Sequence, residues 1–79
     1  MTTKDVLRLA AARTHAATGT GRSIRMAAGL SVAEVAAAVG VAEPTVWRWE
    51  GAKSRPRGAA AIRWAELLDE LKSTAKKNA

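Results

Sequence analysis

The 79-residue chain contains no cysteine, no phenylalanine and no tyrosine, and it has a single histidine. Without cysteine there are no disulfides or thiolate zinc sites, and one histidine cannot assemble a metal site alone. The sequence shows no nucleophile paired with a base, no paired acids and no phosphate-binding loop, so nothing in it indicates catalysis. We therefore expect no enzyme, no cofactor and no small-molecule ligand, and stability that comes from packing.

Long apolar runs are also absent. No stretch approaches the roughly 20 residues that a membrane-spanning helix needs. The N-terminus lacks the basic, apolar and small-residue order of a signal peptide. These absences predict a cytoplasmic protein without a membrane partner.

Alanine is abundant instead, at 19 of 79 residues, and 48% of the chain is hydrophobic. This composition favours short, closely packed helices over a sheet. A chain of this length buries one modest core, so we predict a single all-α domain of about five helices over residues 1–79. The net charge of +6 indicates a polyanionic partner, either nucleic acid or an acidic membrane, and charge alone does not choose between the two.

Local signals place the first two helices and the last one. Thr2 followed by Asp5 predicts an additional N-terminal helix within 1–19, ended by a break at Gly19, Thr20 and Gly21. A short helix over about 22–28 should then stop at Gly29. The last helix is predicted over about 59–73, which leaves 74–79 as a flexible basic tail.

The strongest local signal lies at Ser31, where Glu34 three residues later completes a capping box and Leu30 supplies a hydrophobic staple. The helix that starts there ends at Gly40, and another helical start follows near Glu43. Two helices joined this tightly must cross steeply. We predict a helix-turn-helix at about 31–51.

Residues 24–71 resemble the helix-turn-helix domain of the lambda repressor and Cro family. The resemblance depends on Val35, Ala36, Val39, Gly40, Val41, Val46, Trp49 and Glu50. A small Ala36 suits the contact between the two helices, and Gly40 allows a positive φ in the turn. The resemblance implies that the second helix enters the major groove of double-stranded DNA.

On that second helix, the resemblance implies base contacts from Glu43, Pro44, Thr45, Trp47 and Arg48. Arg48 is the first candidate for a bidentate contact with guanine, and Glu43 suits a cytosine amino group. Pro44 departs from the family pattern and offers only an apolar contact, for example to a thymine methyl. For Trp47, DNA contact and packing on the first helix are equally weighted alternatives.

Contacts to DNA phosphates are expected on both sides of this helix. A basic connection follows it, and two residues near the start of the second helix oppose that connection. The predicted phosphate-contacting residues are Thr20, Arg22, Lys53, Ser54, Arg55 and Arg57.

Five other residues are interpreted as structural. Arg25 and Glu50 match an internal ion pair that occurs in several members of the family. Trp49 and Trp64 have apolar helical neighbours and are expected in the core. His15 is interpreted as a half-exposed helical residue without a ligand.

The last helix carries an apolar arc of about 160°, wider than one core usually takes. Trp64, Leu67 and Leu71 are therefore candidates for a homodimer interface, with a monomer as the alternative. The leading hypothesis is a small Cro-like repressor from a phage or mobile element that binds a palindromic operator. The alternatives are a protein-interaction module, such as an antitoxin or coactivator, and a nonspecific nucleic-acid binder.

Overall fold

A computed structural model of the protein describes the backbone of residues 1–78 and the side chains of residues 1–74. The elements are α1 (Thr3–Thr18), α2 (Thr20–Ala27), α3 (Val32–Val39), α4 (Glu43–Glu50) and α5 (Gly58–Asn78). The described residues contain no strand, so the predicted all-α fold of about five helices is confirmed. None of these helices has the length and apolarity needed to cross a membrane.

Two capping boxes start helices at the predicted places. At α1, Asp5 N–H donates to Thr2 Oγ1 at 3.1 Å and Thr2 N–H donates to Asp5 Oδ2 at 3.2 Å. At α3, Glu34 N–H donates to Ser31 Oγ at 3.0 Å and Ser31 N–H donates to Glu34 Oε1 at 2.9 Å. The hydrogen bond from the Ser31 N–H is the main reason that the pKa of Glu34 is lowered.

The break between α1 and α2 is shorter than predicted. Only Gly19 leaves the helical conformation, with a φ of 79°, and α2 starts at Thr20 rather than at about residue 22. Thr20 and Gly21 are therefore helical because a single left-handed glycine is enough to redirect the chain. At the other end of α2, Gly29 has a φ of 74° and Leu30 N–H donates to Arg25 O at 3.1 Å, as expected of a glycine cap.

The predicted end of the last helix, at about residue 73, is wrong. The backbone of α5 stays helical as far as Asn78, which includes most of the segment predicted as a flexible tail. No glycine or proline follows Ser73, while alanine and lysine are good helix formers and lysine suits a helix C-terminus. Ala79 lies outside the described residues.

The core is centred on α5, against which α1, α2 and α3 all pack. Trp64 and Leu68 of α5 are fully buried, and the Trp64 ring lies 4.9 Å from that of Trp49, measured between ring centroids. The prediction that both tryptophans are core residues is confirmed. Ala12 and Ala16 of α1 are also buried, so the additional N-terminal helix is part of the same core.

Gly21 lets α2 approach α5 more closely than any other residue would. A Cβ atom at this position would lie 2.7 Å from Trp64 Cζ2. Real Cβ contacts are longer than this, so a side chain at residue 21 would displace the buried indole or the helix. The role of Gly21 is therefore to let α2 pack closely against Trp64 of α5, and it is not part of the helix break that the sequence suggested.

We predict that Gly21→Ala lowers the free energy of unfolding by about 1–2 kcal/mol, because overpacking of about 2–3 kcal/mol against the buried indole outweighs the gain in helix propensity of about 1 kcal/mol. Urea unfolding followed by circular dichroism measures the change. Ser23→Ala, an exposed substitution in the same helix, is the control and should stay within about 0.5 kcal/mol of the parent protein. Equal stability of the two variants would contradict the close packing of Gly21 on Trp64.

Candidate nucleic-acid interface

The turn between α3 and α4 has the tight geometry that the sequence predicted. Gly40 ends α3 with a φ of 83°, and its N–H donates to Ala36 O at 2.8 Å. Val41 N–H donates to the same carbonyl at 3.0 Å. Both bonds end on the Ala36 carbonyl, and only three residues separate the end of α3 from the start of α4 at Glu43, so the two helices form one compact unit.

Arg63 supports this unit from α5, a role that sequence reasoning missed. Its Nε donates to the carbonyl of Val39, the last residue of α3, at 2.8 Å. Basic side chains are favoured at helix C-termini, where carbonyls lack helical partners. No local pattern predicts this bond, because 24 residues separate its partners.

An internal ion pair joins α2 to the end of α4, as predicted. Arg25 Nε donates to Glu50 Oε2 at 2.7 Å, and Arg25 Nη2 donates to Glu50 Oε1 at 3.0 Å. Arg25 Nη1 also donates to Leu30 O at 2.8 Å. The hydrogen bond to Glu50 raises the pKa of Arg25, and only 13% and 8% of the two side chains are exposed. The pair therefore fixes the orientation of α4 and is largely withdrawn from solvent.

The opposite face of α4 points outward. Glu43, Pro44, Trp47 and Arg48 are exposed and Thr45 is half-buried, while Val46 and Trp49 face the core. The five residues predicted to contact bases therefore lie on or beside one solvent-facing surface. We call Glu43, Pro44, Thr45, Trp47 and Arg48 the reading face.

Trp47 keeps 67% of its surface exposed, so it is not buried against α1, which was one of the two alternatives for this residue. It lines a concavity of about 350 Å³ together with Arg22 of α2 and Val32 of α3. An exposed indole beside an arginine is available to a ligand that approaches α4.

The connection between α4 and α5 presents the predicted basic side chains. Lys53, Arg55 and Arg57 are exposed, and Ser54 is half-buried. Lys53 N–H donates to Arg48 O at 2.8 Å, and Ala52 adopts a φ of 56°, a left-handed conformation usually taken by glycine. This turn ends α4 and starts the connection. We call residues 52–57 the basic loop.

On the other side of α4, the structure separates the two residues that were predicted to bind phosphate together. Arg22 is exposed and lines the Trp47 concavity. The Thr20 hydroxyl instead lies 2.7 Å from His15 Nδ1 and 3.0 Å from Thr18 Oγ1. Burial lowers the pKa of His15, opposed by nearby Asp69 and reinforced by Lys72. Thr20 therefore already has hydrogen-bond partners within the protein.

One part of the predicted dimer surface is wrong. Trp64 is fully buried and cannot contact a second subunit, because α5 turns this side chain towards α2 and α4. Leu67 and Leu71 are half-buried, so each keeps part of its surface on the outside of α5.

The arrangement of α3, turn and α4 defines a helix-turn-helix protein with an outward second helix. The family described as Helix-turn-helix domain matches residues 22–71, which is more than half of the chain. The chain belongs to this DNA-binding family, in agreement with its resemblance to the lambda repressor and Cro proteins. Domains of this family are typically not enzymes. No curated protein and no solved structure gives a significant match.

We predict that Arg25→Met lowers the free energy of unfolding by about 2–4 kcal/mol, because it leaves the buried Glu50 carboxylate without its partner. Arg8→Met is the matched control. Arg8 pairs with Glu66 at 3.4 Å, and 28% and 51% of these side chains are exposed, so its loss should cost less than about 1 kcal/mol. Urea unfolding at neutral pH measures both variants, and similar losses would contradict a structural role specific to the Arg25–Glu50 pair.

Proposed function

We propose that this protein is a sequence-specific transcriptional regulator that binds double-stranded DNA by inserting α4 into the major groove. The observation that carries the proposal is the reading face of α4, which is exposed and is flanked by Arg22 on one side and by the basic loop on the other. An exposed helix fits the major groove, and cations on either side of it complement the negative charge of the DNA phosphates.

Within the reading face, the proposal assigns direct base contacts. Arg48 donates two hydrogen bonds to O6 and N7 of a guanine, and Glu43, at the first turn of α4, accepts from a cytosine amino group. Pro44 and Trp47 provide apolar contacts to thymine methyl groups, and Thr45 contacts the edge of a base. These assignments give α4 both charged and apolar means of discrimination.

Affinity in this proposal comes mainly from phosphates. Lys53, Arg55 and Arg57 of the basic loop contact the backbone on one side of the groove, with Ser54 as a hydroxyl donor. Arg22 contacts it on the other side, and a phosphate contact from Thr20, also expected from the sequence, would require its hydroxyl to leave His15 and Thr18. The net charge of +6 favours the approach of DNA before any specific contact forms.

The finer proposal is a Cro-like repressor of a phage or mobile element, active on DNA in the host cytoplasm. Two copies bind a palindromic operator, with recognition helices about 34 Å apart, and repress by occupying the promoter. Leu67 and Leu71 of α5 are the proposed dimer contact, since they combine apolar character with partial exposure. No cofactor or small-molecule ligand takes part.

We expect selection from a random duplex library to enrich a palindrome, and Arg48→Ala to relax the preference at the guanine that Arg48 contacts. The expected loss of discrimination there is about 1–3 kcal/mol. Arg57→Ala is the matched control, because it removes an exposed arginine of the basic loop. It should weaken binding to all duplexes similarly and leave the enriched sequence unchanged.

Two outcomes of this selection would contradict the proposal. If no sequence is enriched, the protein is a nonspecific nucleic-acid binder or a protein-interaction module. If Arg48→Ala and Arg57→Ala change the enriched sequence equally, α4 is not the element that discriminates bases.

The dimer contact has its own test. Leu71→Glu should convert the protein to a monomer that still folds, with at least a tenfold loss of operator affinity, because a buried carboxylate opposes association. Ser73→Glu places the same charge at an exposed position of the same helix and serves as the control. Sedimentation velocity measures the association state, and identical behaviour of the two variants would remove Leu71 from the interface.

A further inference from the structure

A groove lies between α1 and the basic loop. The basic loop is within residues 22–71, which match the helix-turn-helix family, whereas α1 precedes them. The volume of the groove is about 380 Å³. Arg13, Ala16 and Ala17 of α1 form one wall, and Lys53, Ser54 and Arg55 form the other. Three of its lining residues are cationic and none is acidic, so the groove suits an anion.

Arg13 is held in place inside this groove. Its Nε donates to the carbonyl of Pro56 at 3.0 Å, across 43 residues of sequence, and Pro56 itself is buried. A guanidinium carries five N–H donors in a rigid plane, so this bond fixes the plane and uses one donor. The terminal Nη groups are the donors that bind phosphate oxygens in bidentate contacts.

The remaining walls leave room for a ligand. Ala16, Ala17 and Ala52 line the groove with methyl groups only. Ala52 adopts a left-handed backbone, and Lys53 and Arg55 beyond it line the groove together with Arg13. Small walls and three cations along one groove leave space for an anion beside several donors.

We propose that this groove binds a phosphodiester of the DNA backbone and that Arg13 is a phosphate-binding residue, so that α1 is part of the DNA interface. The inference rests on the DNA binding proposed above. A DNA phosphate is favoured over a free phosphorylated molecule because the basic loop follows directly from the end of α4. A strand that meets the reading face therefore passes beside the loop.

The test compares the salt dependence of duplex binding for the parent protein, Arg13→Gln and Arg13→Lys by fluorescence anisotropy. Each phosphate contact contributes about 0.9 to the slope of log K against log salt concentration. Arg13→Gln should make the slope less steep by about 0.9. Its affinity relative to that of the parent protein should therefore recover about threefold between roughly 50 and 200 mM salt. Arg13→Lys, which keeps the charge, should retain the parent slope.

Arg8→Gln is the matched control, because it removes the charge of another α1 arginine that lies outside the groove and pairs with Glu66. It should change the slope much less than Arg13→Gln. If Arg13→Gln weakens binding without changing the slope, Arg13 only positions the loop through Pro56 and the proposal is overturned. Circular dichroism confirms that each variant is folded before its binding is measured.

Two further measurements distinguish failure of the Arg13 inference from failure of the sequence-specific function. Random duplex also binds through phosphates, so the slope change should appear with random duplex even if no specific operator exists. The Arg13 inference and the sequence-specific function can therefore fail independently. Nuclear magnetic resonance of the Arg13 Nε–H group should show a shift on addition of duplex; a shift with inorganic phosphate and none with duplex would overturn the DNA assignment.

Discussion

The packing of Trp64 between helices is the interaction on which the rest of the fold depends. The indole lies against the backbone of α2 at Gly21 and beside the ring of Trp49 in α4, and it projects from the N-terminal half of α5. One side chain therefore joins three helices. In a chain without phenylalanine or tyrosine, two tryptophans in tilted ring contact supply much of the large apolar surface that a small domain needs.

This packing determines which side of α4 reaches solvent. Trp49 and Val46 point into the core, so Glu43, Trp47 and Arg48 must point out. The Arg25–Glu50 pair prevents rotation of α4 about its axis, and Arg63 fixes the end of α3. The reading face is consequently presented on a rigid support, and rigid placement is what accurate contacts to base edges require.

Local features of the fold were predictable from the sequence, because their causes lie within a few residues. The capping boxes at Thr2 and Ser31 and the turn at Gly40 all follow from such patterns. The Arg25–Glu50 pair came from the family resemblance. The outward position of Trp47 and Arg48 followed from helical periodicity. The DNA groups that these residues contact depend also on the DNA, so these contacts stay predictions.

Contacts between distant segments for which the sequence holds neither a local nor a family pattern were not predictable. The apolar arc on α5 indicates burial but not what covers it, so the sequence indicated Trp64 both as a core residue and as a dimer contact, and only the core position is correct because α2 and α4 enclose it. The bond from Arg13 to Pro56 likewise depends on how α1 packs, and no spacing rule covers 43 residues.

Arginine in this protein has two opposite roles that composition cannot distinguish. Arg25, Arg63 and Arg13 donate to groups within the protein and hold helices or the basic loop in place. Arg48, Arg55 and Arg57 are exposed on the reading face and the loop. Burial alone does not separate the two roles, because Arg63 is exposed although its Nε donates to Val39 O; the internal acceptor is what marks the first group. Arg13 lies between them, since it is half-buried and bonded through one nitrogen while it lines the groove beside the basic loop. A side chain in that position can both support the basic loop and extend its charge, which gives the N-terminal helix a reason to be part of the domain beyond the burial of Ala12 and Ala16.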